Sequence, residues 1–473
     1  MSKEQIKKIY ISIFSLIMAC FVAFYFLAGD SIKYRDSRRN ISVTNANKAT
    51  RDITRDVVVQ QNFYNLIDRL KRVSIECTTL YRTNNGKVTI GVYDGNEFLF
   101  GNSYYVNTIK EGDVLVAEAD DYIEGKAGKE LSIIITSTST ENYSLELLTN
   151  TMSTAGTFLH VGDVYMAGSL CFTASGQEFI FTGQHYWEIA GGICSLFGLI
   201  LLWSYHNYIR GKRDYLVVAL NAVNRYEFLI SQLVKRDFKT KYKRSVLGVF
   251  WSFLNPLMTM TVQYIVFSTL FRSNIESYAV YLLTGIIAFS FFNEVTTMCL
   301  QSITGNANLI KKVYMPKYIF PLSRTISSGV NLLISLIPLI LICLITGVAL
   351  KQSVILALYF LTCLVVFALG VGMFLSALMV FFRDIQFLWS VVVMMWQYAT
   401  PIFYAPEIIP AKFAFILRFN PIYHFIKNIR LCVINGISPE PRAYAYCFVF
   451  ALGSLLLGSL VFKKSQDKFT LYL

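Results

Sequence analysis

The chain has 473 residues, of which 54% are hydrophobic and only 15% charged, and its mean hydropathy is +0.48. Soluble domains carry about a quarter of charged residues, so this balance excludes an ordinary water-soluble protein and implies one built into a membrane. The net charge of +13 comes from basic residues set beside apolar runs, the pattern of cytoplasmic membrane loops rather than of a nucleic-acid surface.

Ile9 to Ala28 is an uncharged apolar run preceded by Lys3, Lys7 and Lys8. Roughly 20 such residues cross a bilayer as a helix. The run is longer than a signal-peptide core and is followed by no small-residue cleavage pattern, so residues 1–28 read as a transmembrane anchor. From 29 to 185 the character changes: charges are frequent and no spanning run occurs. Val57, Phe63, Leu66, Ile67 and Leu70 recur at three- and four-residue spacing, which predicts a helix over Asn45–Val73. Strand signals follow in Lys87–Tyr93, Glu97–Val106 and Leu131–Ile135, with Asn85-Gly86 and Asp94-Gly95 as turn dipeptides. This segment is expected to form a compact, mostly β domain. It holds 19 acidic and 15 basic residues, so the rest of the chain carries about +17.

A second span is expected over 186–208, with Trp187 and Trp203 near its ends as interfacial aromatics. Residues 209–244 form an amphipathic, basic stretch that opens with Arg210, Lys212 and Arg213. It ends in Lys235, Arg236, Lys239, Lys241, Lys243 and Arg244. Six more apolar segments follow in 245–473: Val246–Phe271, Tyr278–Ile303, Phe320–Val348, Val354–Phe382, Ile385–Phe403 and Tyr444–Phe462. Eight spans are therefore expected. The basic clusters at 210–244, Lys311, Lys312 and Lys317, Arg383, and Lys463, Lys464 and Lys468 fall on one side, which the positive-inside rule makes cytoplasmic. Both termini are then inside and the β domain outside. Lys33, Arg35, Arg38 and Arg39 run against that assignment and are outvoted.

Five stretches in the C-terminal half carry a family resemblance: LVKRDFKTKYKRSVLGVFWSFLNPL (233–257), NANLIKKVYMPKYIFPLSR (306–324), FFRDI (381–385), TPIFYAPEIIP (400–410) and FNPIYHFIKNIR (419–430). In this order they resemble the permease subunits of type-2 ABC exporters, above all those for O-antigen, capsule and teichoic acid. The resemblance covers about half of the chain and leaves out the first helix and the β domain. It implies a mainly α membrane protein: a six-helix exporter domain preceded by two extra helices that flank an extracytoplasmic, mostly β domain.

Residues take on roles within that frame. Arg236, Lys239, Lys243 and Arg244 sit before a helix at the inner surface, where basic groups attract anionic headgroups. The resemblance places an amphipathic interface helix and lateral access for lipid-linked substrate there. Asn255-Pro256 kinks the following helix. The polar loop with Lys311, Lys312, Tyr314 and Pro316 is expected to carry a short coupling helix that docks on an ATPase. Gly86-Lys87, Gly125-Lys126, Gly128-Lys129 and Gly211-Lys212 all miss the phosphate-loop pattern, so nucleotide is expected on another chain. Arg383-Asp384 reads as a local salt bridge at a helix junction. Thr400-Pro401 breaks the seventh span, and Pro406, Pro410 and Pro421 prevent a long helix after it. Non-helical backbone at membrane depth must be buried or line a cavity, which makes Pro401, Phe403 and Tyr404 the candidate outer gate. Glu294 is the one carboxylate well inside an expected span, a costly placement that marks function or a basic partner. Tyr264, Tyr281, Trp396 and Tyr398 are candidates to line a sugar path, since sugar faces stack on aromatic rings.

The histidines His160, His185, His206 and His424 lack ligand spacing, and the nine cysteines form no C-x-x-C pair, so no metal site is expected. Cys77 and Cys171 read as two free thiols, with a disulfide between them the alternative if the region is extracytoplasmic and oxidised. The expected function is ATP-driven export of a lipid-linked polysaccharide or teichoic-acid-like polymer across the bacterial cytoplasmic membrane. The expected assembly is a permease homodimer with two ATPase subunits. ATP and magnesium belong to the ATPase, the chain itself holds no cofactor and is no enzyme, and lipid and glycan rather than nucleic acid are its ligands. Export of drugs, peptides or small lipids is the alternative. A membrane sensor and a glycosyltransferase rank below it, since no catalytic carboxylate pair or nucleophile triad stands out.

Overall fold

A computed structural model describes residues 3–37, 39–153, 156–212, 214–243, 245–271, 277–312 and 315–473. Arg38, Arg213, Arg244 and Tyr314 lie outside the described residues. The chain divides into two compact units, Lys33–His185 on the one hand and Met1–Ile32 with Tyr186–Leu473 on the other.

The first unit is a β-sandwich. One antiparallel sheet has eight strands and the other six. Strands Lys87–Asp94, Glu97–Tyr105 and Lys129–Ser137 match the alternation in the sequence, because Val88, Ile90, Val92, Leu131, Ile133 and Ile135 all point into the core. The inner faces share one apolar core, in which the Phe63 and Phe172 rings from opposite sheets lie 5.3 Å apart. The helix expected over Asn45–Val73 does not form: Val59–Asn65 and Arg69–Thr78 are strands. Their period of two is masked in the sequence by two polar residues on the buried side. Gln61 accepts from the Leu170 amide (2.9 Å), and the Asn65 amide donates to the Ile67 and Lys126 carbonyls (3.1 Å each). Being hydrogen-bonded, both are tolerated inside.

The domain closes on its own ends. Tyr34–Asp36 pairs antiparallel with the last strand, Phe172–Phe179, in the register Tyr34↔Phe179, and Arg35 binds Glu178 at 2.6 Å. Cys77 and Cys171 are separate, buried thiols. Burial pushes their pKa values up, to about 12 and about 11, so neither is a thiolate at neutral pH.

The second unit is helical. We label its helices α1 (Lys3–Ala28), α2 (Tyr186–Ile209), α3 (Tyr215–Tyr242), α4 (Phe250–Phe271), α5 (Tyr278–Leu300), α6 (Ile319–Ile345), α7 (Val354–Phe381), α8 (Ile385–Ala399), α9 (Pro421–Arg430) and α10 (Pro441–Ser465). Among the described residues, six helices are long and apolar enough to cross a membrane: α1, α2, α5, α6, α7 and α10 with its continuation to Tyr472. The other two of the eight expected spans, α4 and α8, lie outside this set by composition and by length. The 22-residue α4 has the length, but Asn255, Pro256 and Gln263 dilute its apolar character. The 15-residue α8 reaches about 22 Å, less than the roughly 30 Å hydrocarbon layer.

α5 is the most enclosed of these helices, whereas α1 and α2 keep most of their surface outward. The two outer helices are tied to α3 by a polar chain: the Tyr10 hydroxyl meets Ser204 Oγ at 2.6 Å, and Ser204 donates to Asp214 at 2.6 Å. Asp214 also caps α3 by accepting from the Leu216 and Val217 amides. α7 and α10 approach backbone to backbone. A Cβ placed on Gly458 would lie 2.0 Å from the Gly370 carbonyl oxygen, and one on Gly370 would lie 2.4 Å from the Leu455 nitrogen. Small residues permit such crossings, and Ser454 adds a bond to the Phe367 carbonyl at 2.9 Å.

One end of the unit gathers Leu233, Ile303, Ile310, Ile319, Val380, Phe462 and Phe469 into a separate core beneath the basic loops. We call this the basic end. The expected Arg383–Asp384 salt bridge is not made: no ion pair joins the two among the described residues. Instead the Asp384 carbonyl accepts from Phe387 and Leu388 as α8 begins.

Candidate functional site

Helices α3, α4, α5 and α6 line a partly open cavity of about 210 Å³, mixed polar and apolar, with room for several water molecules. Glu294, on α5, is its charged centre. Its Oε1 accepts from Lys241 Nζ (2.9 Å), Asn331 Nδ2 (2.7 Å) and Ser328 Oγ (3.1 Å). Oε2 accepts from none of the described residues. The carboxylate therefore has the basic partner that the sequence allowed for, supplied by the end of α3, 53 positions earlier. Asn331 carries the network on: its Oδ1 accepts from the Tyr242 hydroxyl at 3.0 Å, and Tyr242 also bonds Ser252 Oγ. Ser335 closes the circuit on the Ser252 carbonyl at 3.2 Å. Trp251 and Phe291 border this ring of amides and hydroxyls, with Asn255 and Pro256 at the α4 kink. An aromatic edge with fixed donors and acceptors is the lining that a hydroxyl-rich ligand requires.

A second cavity, of about 550 Å³, adjoins it toward the basic end and shares Lys241 and Glu294 with it. Here Asp237 is almost fully buried, with Arg236 at 3.2 Å on one oxygen and Arg324 at 3.1 Å on the other. Arg236 also donates to Asn306 at 3.1 Å. The structure thus divides the four basic residues assigned to substrate access. Arg236 lines this cavity, Lys239 and Lys243 are exposed, and Arg244 is outside the described residues. Lys241 and Arg324, which the sequence did not single out, join Arg236.

At the opposite end, α8 stops at Ala399 and an irregular segment follows, as Thr400-Pro401 led one to expect. Ile402 and Phe403 are buried in the main core. The segment is held by Arg430, the last residue of α9. Its guanidinium donates to the carbonyls of Tyr281 (2.9 and 3.2 Å), Pro401 (2.7 Å) and Ile402 (3.0 Å) and lies 3.4 Å from the Tyr281 ring centre. Gly285 leaves the room this needs, because a Cβ there would come within 2.7 Å of the guanidinium. The Tyr281 and Tyr278 hydroxyls add bonds to the Tyr404 (2.9 Å) and Phe403 (2.7 Å) carbonyls. Asn420 caps α9, donates to Thr400 Oγ1 at 2.8 Å and accepts from Trp396 Nε1 at 2.9 Å.

The four candidate path aromatics therefore lie around the irregular segment and not at the cavity. Tyr281 and Trp396 hold the irregular segment, Tyr264 stacks beside Tyr278 at 5.7 Å, and Tyr398 is largely exposed. None lines the cavity at Glu294, where Trp251 and Phe291 stand instead. Near the basic end the loop after α5 contains the short helix Ala307–Lys312, with Ile310 buried and Lys311 and Lys312 exposed. Pro316 follows it, and Lys317 ties the loop to the Gln466 carbonyl at 2.5 Å.

Residues 229–433 match the family model for the ABC-2 type transporter. The chain is 31% identical over 245 residues to the O-antigen export system permease protein RfbA of Klebsiella pneumoniae, covering 51% of this chain and 93% of that protein. It is 26% identical over 250 residues to the protein of the same name from Myxococcus xanthus, covering 52% and 95%. It is 22% identical over 246 residues to the polysialic acid transport protein KpsM of Escherichia coli, covering 50% and 93%. The family model begins within α3, so α1, the β-sandwich and α2 precede it.

Proposed function

Because the chain belongs to the ABC-2 type transporter family, we propose that it is the permease half of an ATP-driven exporter. Its cargo in this reading is a lipid-linked polysaccharide or teichoic-acid-like polymer, carried outward across the cytoplasmic membrane. The likeness of its C-terminal half to permeases named for O-antigen and polysialic acid carries the reading. The cavity between α3 and α6 supports it, since amides, hydroxyls and aromatic edges suit a sugar better than an apolar drug.

One permease chain supplies half of a symmetric pathway, so the working unit is a homodimer with two ATPase chains that bind ATP and magnesium. The basic end faces the cytoplasm, both termini are inside, and the β-sandwich is outside. Arg236, Lys239, Lys243 and Arg244 receive the substrate, Tyr264, Tyr281, Glu294, Trp396 and Tyr398 border its path, and Pro401, Phe403 and Tyr404 close the outer side. Lys311, Lys312, Tyr314 and Pro316 meet the ATPase.

Deleting the gene should leave polymer inside the cell, and re-expression should return it to the surface. A variant with Lys311, Lys312 and Tyr314 all changed to Ala should insert normally but restore export about tenfold less well or worse, since a tenfold weaker docking costs only about 1.4 kcal/mol. Surface polymer unaffected by the deletion rules out the function, and full export by the triple variant rules out the docking role. Orientation has its own test. Cysteines at Asn96 or Asp120 should react with an impermeant maleimide in intact cells, whereas one at Lys464 should react only after lysis. The reverse pattern inverts the topology.

A further inference from the structure

We propose that the Lys241–Glu294 pair is a displaceable bolt between the two cavities, and that the cavity at the basic end binds the phosphate of a lipid phosphate ester whose sugar enters the cavity beyond. This rests on the export reading and adds to it a ligand group, a site and a switching step.

The two cavities share few lining residues, and Lys241 and Glu294 are two of them. The larger cavity has three cations, Arg236, Lys241 and Arg324, against two carboxylates, Asp237 and Glu294. One positive charge is left over. Both arginines lean on the single buried Asp237, so an arriving phosphate finds them already held in place and not fully neutralised. Lys241 is the mobile member. Its ammonium is about two-fifths exposed, on a flexible four-carbon stem. An ion pair that open to solvent contributes little, so exchanging a carboxylate for a phosphate is close to neutral in free energy.

Once Lys241 turns to the phosphate, Glu294 keeps Asn331 and Ser328 on Oε1. Its freed lone pairs then face the cavity edged by Trp251, Asn255 and Phe291, where they can accept from sugar hydroxyls. A phosphate on one side and a sugar on the other is the geometry of a glycosyl phosphate.

The test uses the full chain in nanodiscs of zwitterionic lipid, with dodecyl phosphate as probe and binding followed by tryptophan fluorescence. Lys241→Gln should weaken binding about tenfold, the loss of one charge-assisted contact. Glu294→Gln should tighten it several-fold by freeing Lys241. The exchanged pair Lys241→Glu with Glu294→Lys keeps the attraction but moves the cation, and should bind as poorly as Lys241→Gln. A purely structural pair gives the opposite pattern: Glu294→Gln lowers the melting temperature without tightening binding, and the exchange restores wild-type behaviour. That result overturns the proposal. Displacement of the probe by phosphatidylglycerol as readily as by a polyprenyl diphosphate assigns the site to bulk lipid and also overturns it. None of these measurements needs transport, so a failed bolt is distinguishable from a failed export reading.

Discussion

Replacing Arg430 with methionine should release the 400–404 segment and abolish export while leaving the chain in the membrane. The guanidinium serves three carbonyls, those of Tyr281, Pro401 and Ile402, through four contacts of 2.7 to 3.2 Å. Methionine fills the same length and removes the cost of burying a charge, but the Ile402 carbonyl loses its donor and the Pro401 carbonyl keeps only the Tyr281 hydroxyl at 3.5 Å, while the Tyr281 carbonyl retains Thr284 Oγ1 at 2.9 Å. Each unpaired buried group costs roughly 1–3 kcal/mol, and the contact with the Tyr281 ring is lost as well. The orphaned Ile402 carbonyl, the weakened Pro401 carbonyl and the lost ring contact together outweigh the relief of one desolvated cation, for a net destabilisation of about 1–3 kcal/mol. Lysine has one point charge and no fork, so Arg430→Lys should recover only part of it. The measurements are the thermal midpoint in detergent and maleimide labelling of a cysteine at Phe403, which should shift from protected to reactive. An Arg430→Met protein that melts normally and keeps position 403 protected would show that the clamp is not what holds the segment.

The second large effect is expected at the crossing of α7 and α10. Gly458→Val should prevent stable folding of the helical unit. Even one methyl at that position meets the Gly370 carbonyl oxygen at 2.0 Å and its carbon at 2.8 Å, and these are backbone atoms that no rotamer can move. The helices must separate by more than an ångström, which breaks the Ser454–Phe367 bond and loosens the packing of Phe360, Cys363 and Phe367. Overpacking in a well-filled core costs about 1–3 kcal/mol when side chains can yield, and more when only backbone can. Gly458→Ala should show a milder form of the same defect. Size-exclusion profiles and melting of the detergent-solubilised protein report it, with Gly453→Ala as control, because nothing lies within 4 Å of a Cβ there. Equal melting of Gly458→Val and the control would mean the two helices are not held at this distance.

These two sites differ in how far the sequence announced them. The break at Thr400-Pro401 was legible because proline cannot continue a helix, and the short helix at Ala307–Lys312 lay in a stretch whose order of residues resembled a known family. Arg430 stood inside one of those stretches, yet its role was not legible. Its acceptors are carbonyl groups up to 149 positions away, and a carbonyl belongs to every residue alike. Glu294 could be picked out as a carboxylate in an apolar run. Its partner Lys241 was one of several cations in a basic stretch, and only the helical turn of α3 separates it from the exposed Lys239 and Lys243. In the β-sandwich the alternation was plain where inward positions are aliphatic, as at Val88, Ile90 and Val92. It failed at Val59–Asn65, where Gln61 and Asn65 point inward. The length of a helix is legible only where its stop is chemical. The end of α8 was marked by proline, but the polar dilution of α4 is a matter of degree.

The antiparallel stitch between Tyr34–Asp36 and Phe172–Phe179 has a consequence for how such a chain could have arisen. A domain whose first and last strands are neighbours leaves the main chain where it took it up, so it asks nothing of the helices on either side. Those helices meet independently of it, since Tyr10 of α1 reaches Ser204 of α2 directly. The sandwich is therefore a cassette in an otherwise continuous helical hairpin. Closing the ends within the cassette also spares the hairpin the entropy of a loop some 150 residues long, because that loop is already shut before the helices come together. Lineages could exchange the cassette, trading one domain surface for another, without refitting the helices it interrupts.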